Sequence, residues 1–134
     1  MNFGVGWGNI IGTIIVWGLL VDCIFCKIIL KEIPADIVYE DDVILCFRDL
    51  APQAPVHALI IPKVHIGSLE EVSDSPEHLQ ALGHLLAKVR GIASLLGLEN
   101  GYRLVCNQGK DGQQTVGHLH FHLLGGRLME WPPG

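Results

Sequence analysis

The chain has 134 residues, a net charge of −5 and 49% hydrophobic residues. That length suits one domain with a core of its own. The acidic balance, with no basic run, argues against a footprint on a nucleic-acid backbone, although a small nucleotide needs only a few directed contacts. The four cysteines do not read as a disulfide framework.

Residues 1–21 carry no ionisable side chain, and Phe3 to Val21 is mostly apolar, with Trp7, Trp17 and glycines at 4, 6, 8, 12 and 18. At about 1.5 Å per helical residue this stretch is long enough for a bilayer core of about 30 Å. Lys27 and Lys31 behind it would leave the rest of the chain cytoplasmic. The glycines and the lack of a basic leader speak against an anchor. A membrane anchor tethering a cytoplasmic protein, a translation start placed too far upstream, and a packed or disordered extension all stay open. The domain proper is read as 22–134.

Residues 22–32 read as a short helix capped by Asp22, with Phe25, Ile28 and Ile29 on its apolar face, and Ile33-Pro34 ends it. Ile37–Glu40, a turn at Asp41-Asp42 and Val43–Arg48 form a hairpin. The loop Asp49-Leu50-Ala51-Pro52-Gln53-Ala54-Pro55 leads into a strongly apolar strand, Val56–Pro62, with His57 near its start. Ser75 and Pro76 open a long helix with an expected buried stripe of Leu79, Leu82, Leu86, Val89, Ala93 and Leu96, closed by Gly97. His78 and His84 lie off that stripe and read as solvated. A strand over Tyr102–Asn107 and a polar, glycine-bearing loop to Gly117 follow. Such a loop can bring backbone N–H groups to a phosphate. This order of elements predicts an α+β fold with a mainly antiparallel five-stranded sheet, one long and one short helix.

The loop delivers the chain into His118-Leu119-His120-Phe121-His122-Leu123. The period of two places three imidazoles on one face of a strand and three apolar residues on the other. An imidazole row can bind a metal, move protons or attack an electrophile. Two readings stand: a tri-histidine metal site, or a nucleophilic histidine with two helpers.

His118-Leu119-His120-Phe121-His122-Leu123-Leu124 resembles the signature of the histidine-triad family. The ending Trp131-Pro132-Pro133-Gly134, with Asp49-Leu50-Ala51-Pro52-Gln53-Ala54-Pro55 upstream, is similar to the Hint branch of that family over about residues 22–134. The resemblance implies hydrolysis of purine nucleoside phosphoramidates, such as adenosine 5′-monophosphoramidate. His120 would be the nucleophile, forming a covalent nucleotidyl-histidine. His122 and His57 would protonate the leaving group and His118 would orient the array. Asp49 would take the ribose hydroxyls, Leu50, Phe25 and Ile28 would help line a purine pocket, and Asn107, Thr115 and the 112–117 amides would hold the phosphate. No metal is required for that chemistry. The resemblance also implies a homodimer, joined across the Tyr102–Asn107 region and the long helix, with Trp131 of one subunit approaching the site of the other. Thr115 stands where the family has serine, Gln113 where a glycine is usual, and Arg48 adds a charge next to Asp49.

Cys23-x-x-Cys26 has the spacing of metal ligands. Some bacterial and plant relatives hold structural zinc with two such cysteines and two histidines, here matching His65 and His118. Two other functions compete with the phosphoramidase: a zinc-dependent hydrolase ligated by His118, His120 and His122, and a nucleotide-binding adaptor with vestigial catalysis.

Overall fold

The computed structural model describes residues 22–134, so the anchor-or-extension reading of residues 1–21 lies outside the described residues. Among the described residues no helix is long and apolar enough to cross a membrane. The chain divides into two compact units after Pro34.

In the first unit, α1 covers Ile24–Ile29 and buries Phe25, Cys26 and Ile28. Its cap is Cys23 rather than Asp22: the Cys23 sulfur accepts the Cys26 backbone N–H at 3.3 Å. A side-chain acceptor at that position satisfies a donor the helix cannot use. Lys31 then takes φ of +65°, which ends the helix before Pro34.

The second unit, Ala35–Gly134, is one antiparallel sheet with a long helix on one face. β1 is Ile37–Glu40, β2 Ile44–Arg48, β3 Val56–Pro62, β4 Arg103–Val105 and β5 Phe121–Gly125; α2 is Pro76–Leu95, preceded by a 3-10 turn at Leu69–Glu71. The strand order is β1-β2-β3-β5-β4, and every neighbouring pair is antiparallel. The last strand in sequence is therefore inserted beside the third. The expected α+β architecture with five strands and two helices is what the described residues form.

Ile44, Cys46, Ala58, Ile60 and Leu123 point to one face of the sheet and pack on Leu85, Val89, Ile92 and Ala93 of α2. Each fully buried branched side chain contributes about 1.5–3 kcal/mol, so this layer is the principal source of stability in the unit. The opposite face, read from the same register, presents Leu45, Phe47, His57, Leu59, Ile61 and His122.

The helix departs from its expected stripe. Ser75 caps α2 as predicted, its hydroxyl accepting His78 N–H at 3.2 Å. The buried face, however, runs through Ala81, Leu85, Val89, Ile92 and Ala93, while Leu79 and Leu86 are 58% and 53% exposed. The helix carries two apolar stripes, and the sheet takes the one with the smaller residue at its start. His84 is not solvated without a role. Its Nε2 lies 2.7 Å from Asp41 Oδ2, across from the β1–β2 turn. The same carboxylate accepts Tyr39 OH at 2.8 Å and the N–H groups of Val43 and Ile44 at 2.8 and 2.9 Å. Asp41 thereby starts β2 at Ile44 and fastens α2 to the first hairpin.

Candidate active site

The histidines reach their places by different local routes. His57 lies on β3, but of the three triad histidines only His122 lies on a regular strand, because β5 begins at Phe121. The expected strand through all three triad histidines is not formed, and the cause is across the sheet. The β3–β5 register pairs Ile60 with Phe121 and, carried on, sets Pro62 opposite Leu119. Proline has no N–H to give the ladder, and its carbonyl is taken by His118 Nε2 at 2.9 Å. The Leu119 N–H turns instead to the Ile66 carbonyl at 2.6 Å. The chain bends, His118 is fully enclosed at 0% exposure, and Leu119 and Leu123 still enter the interior.

Backbone partners fix the proton positions. A carbonyl only accepts and an amide N–H only donates, so each contact names a tautomer. His118 donates from Nε2 to Pro62, leaving the Nδ1 lone pair 3.1 Å from His65 Nδ1. Burial pushes His118 down to about 4, against the pull of the Pro62 carbonyl and with help from His65 and His120. His120 donates from Nδ1 to the His118 carbonyl at 2.7 Å, which leaves the lone pair of its neutral ring on Nε2. His57 Nδ1 accepts the Gln53 N–H at 2.9 Å, and its Nε2 lies 2.9 Å from His122 Nδ1 and 3.4 Å from Asp49 Oδ2. The rings of His120 and His122 meet edge to face with centroids 5.1 Å apart. Burial lowers both His57 and His122, with Asp49 opposing in each case and the neighbouring histidines adding to the fall at His122. Burial therefore favours the neutral rings of His57, His118 and His122, while the Nδ1 contact of His120 directs its Nε2 away from the His118 carbonyl.

The structure brings His57, His120, His122 and Asp49 together, and sets His118 apart as a neighbour of His65. Asp49 is anchored by its own loop: Oδ1 accepts Ala51 N–H at 2.8 Å, and the Asp49 N–H bonds the His57 carbonyl at 3.0 Å. Each carboxylate oxygen retains a second lone pair for a hydroxyl donor. Asn107 is half-buried, and the β4–β5 register, extended two residues, sets it opposite His120. Thr115 is exposed in the loop before the triad. That loop is shaped by Gln114, whose amide oxygen accepts Gly109 N–H at 3.4 Å and whose nitrogen donates to the carbonyls of Gly67 and Val116 at 2.9 and 3.0 Å. Gln113 adopts φ of +61°, the conformation for which glycine is the usual residue.

Leu50 is 98% exposed and Trp131 80% exposed, so neither is enclosed within its own chain. Trp131 lies under the Arg103 guanidinium, 5.9 Å from carbon to ring centroid, while Arg103 Nη2 donates to the Glu130 carbonyl at 3.0 Å. Phe25 and Ile28 are buried on α1. Sequence reasoning missed the Gln53 peptide and Arg127, whose Nη2 donates to the Gln53 carbonyl at 3.1 Å. A backbone donor leaves no mark in sequence; the one signal was an arginine straight after Gly125-Gly126.

The donors of the expected zinc set are suited to the ion in each half. The two ring nitrogens of His65 and His118 stand 3.1 Å apart, close to the roughly 3.3 Å separating two tetrahedral nitrogen ligands at about 2.0 Å from zinc. On α1 both thiols are buried, and burial followed by the Cys23 contact pushes Cys26 up to about 12. The ring nitrogens of His118, His120 and His122, by contrast, do not converge into one ligand group among the described residues.

Residues 30–129 match the HIT domain family. The chain is 62% identical over 113 residues to an uncharacterised HIT-like protein of Synechococcus elongatus, covering 84% of this chain and 97% of that one. It is 54% identical over 111 residues to a 14 kDa zinc-binding protein of Zea mays, covering 83% and 87%. Among solved structures, a HIT family hydrolase from Legionella pneumophila superposes with a TM-score of 0.80 at 52% identity, covering 84% of this chain and all of that one.

Proposed function

Because this chain belongs to the HIT-domain family, we propose that it is a nucleotide hydrolase acting on purine nucleoside phosphoramidates through a covalent nucleotidyl-His120 intermediate. The observation that carries this reading is the His120 Nδ1 bond to the His118 carbonyl, which puts the lone pair on Nε2. In the first step Nε2 bonds to the α-phosphorus, the P–N bond breaks, and its electron pair leaves on the amine nitrogen, which takes a proton. In the second step water oxygen bonds to phosphorus, the bond to His120 breaks and returns its pair to Nε2, and the water gives up a proton. One proton is borrowed and returned: His122, in its protonated form beside His120 and the phosphoryl charge, gives it to the amine and takes it back from the water. Asn107, Thr115 and the loop amides stabilise the charge on the phosphoryl oxygens. Asp49 takes the ribose hydroxyls, with Leu50, Phe25, Ile28 and a partner's tail around Trp131 lining the purine side.

We infer that Cys23, Cys26, His65 and His118 hold one structural zinc ion. The donor chemistry supports this, as does the likeness to the zinc-binding protein of maize. The ion would neutralise the two thiols and brace the start of the triad. His118 is then a brace rather than an acid or base, which also disfavours the zinc hydrolase built on all three triad histidines.

The test is a turnover assay. The full chain and its His120→Ala variant are incubated with adenosine 5′-monophosphoramidate and EDTA, and AMP release is followed. We expect turnover by the parent and a loss of at least about a hundredfold in the variant. A variant as active as the parent would remove His120 from the mechanism. Nucleotide binding with no turnover by either protein would favour the adaptor.

A further inference from the structure

His57 is 6% exposed, and its two nitrogens face different partners. Nδ1 accepts the Gln53 N–H at 2.9 Å, so the proton of the neutral ring sits on Nε2. Protonating Nδ1 would set two N–H groups against each other. Gln53 is itself held in the loop through its carbonyl and its side chain. Arg127 Nη2 donates to its carbonyl at 3.1 Å. The Gln53 side chain folds back on the Ala51 carbonyl at 2.9 Å, and Ala51 N–H is held by Asp49 Oδ1 at 2.8 Å. Arg127 can reach the loop because the chain passes tightly by Pro55 at Gly126. There φ is +91°, and a Cβ would meet the Pro55 Cβ at 2.9 Å.

We propose that Arg127, acting through the Gln53 backbone, is a positioning residue that holds His57 as its Nε2–H tautomer. His57 does not carry the catalytic proton: when His122 takes it up, the His57 Nε2–H has Asp49 Oδ2 at 3.4 Å as its other acceptor, and to the neutral His122 ring it is a fixed donor at 2.9 Å. His122 Nδ1 is thereby committed as an acceptor, and the proton of the neutral His122 ring lies on its Nε2. The tautomer follows from geometry alone; its catalytic consequence rests on the hydrolase reading above. Arg127 touches no reacting atom in this scheme. It holds the carbonyl of the Gln53–Ala54 peptide, and through the shared Gln53 Cα it fixes the N–H of the preceding peptide against the His57 ring.

The experiment reads the tautomer without substrate. Long-range proton–nitrogen spectra of the nitrogen-15-labelled full chain should show His57 with an acceptor-type Nδ1 and a protonated Nε2 at pH 7. The Arg127→Met variant should move those signals towards a tautomer mixture. Its kcat should fall about ten- to a hundredfold with KM unchanged, as expected when a reacting group is misplaced rather than removed. Arg127→Lys, which restores a donor, should recover part of both effects. A Nδ1–H or doubly protonated His57 in the parent would overturn the proposal, as would an Arg127→Met variant with the parent's spectrum and kcat. Absence of turnover alongside the expected parent spectrum would instead sink the hydrolase reading and leave the tautomer assignment standing.

Discussion

His118 and His120 stand two positions apart and have opposite surroundings. His118 is enclosed, with Nε2 on the Pro62 carbonyl and Nδ1 towards His65, while His120 keeps its Nε2 lone pair. Substitutions should therefore separate stability from turnover. Metal analysis of the purified full chain should find one zinc per chain. His118→Ala should lose it and melt about 10 °C lower or more, as expected when a structural ion worth several kcal/mol is removed. His120→Asn should keep its metal and lose its turnover. A His118→Ala variant with full zinc would end the structural-zinc reading. The sequence made the triad legible as chemistry, because three imidazoles at alternate positions serve no packing need. It did not show the bend at His118–His120. That bend depends on Pro62 lying across the sheet from Leu119, 57 positions earlier in the chain by their numbers, and no local pattern encodes such a pairing. The proton positions were equally hidden, since backbone groups set them.

Among the elements, the Asp41 cluster couples a turn, two strands and α2. Burial favours the neutral carboxyl, but the bonds from His84, from the N–H groups of Ile44 and Val43 and from Tyr39 outweigh it and hold Asp41 well below the usual carboxylate range. A carboxyl with a depressed folded pKa adds stability above its unfolded value of about 3.9, and that stability is lost as pH falls further towards the folded value. Melting temperature should thus drop as the pH is taken below about 4. Asp41→Asn should flatten that acid limb and lower stability at pH 7 by about 1–3 kcal/mol, because an amide N–H₂ replaces the oxygen that accepts from His84 and Tyr39. Thermal melts from pH 3 to 7 on both proteins would show it, and an unchanged acid limb would refute it. The bounds of β1 and β3 were readable because apolar runs there end at turn residues. The buried face of α2 was not, because Leu79–Leu86 and Ala81–Leu85–Val89 are both apolar at helical spacing. Only the sheet's position chooses between them.

At the scale of the whole molecule, the unused stripe of α2 stays on the surface. Leu79 and Leu86 on α2 are exposed, as are Leu95 at its end and Tyr102 before β4. We take these residues as part of a homodimer interface between α2 and the β4 region, as the family resemblance implies. A charge introduced there should act on assembly before it acts on folding. Leu86→Glu should convert a dimer of about 29 kDa, twice the 14.7 kDa chain, into a monomer by sedimentation with little change in the circular dichroism spectrum. A parent already monomeric at tens of micromolar would refute the interface.

The strand order has a consequence for how the protein is made. β5, which carries His122, is the last strand to leave the ribosome, yet it lies between β3 and β4. Until it arrives, β3 and β4 each present an unpaired row of backbone donors and acceptors, the kind of edge that recruits other chains. A nascent or prematurely terminated chain ending before Phe121 would therefore lack more than its triad. It would expose two sticky edges at once, and the cell should meet it as a quality-control substrate rather than as a weakened enzyme.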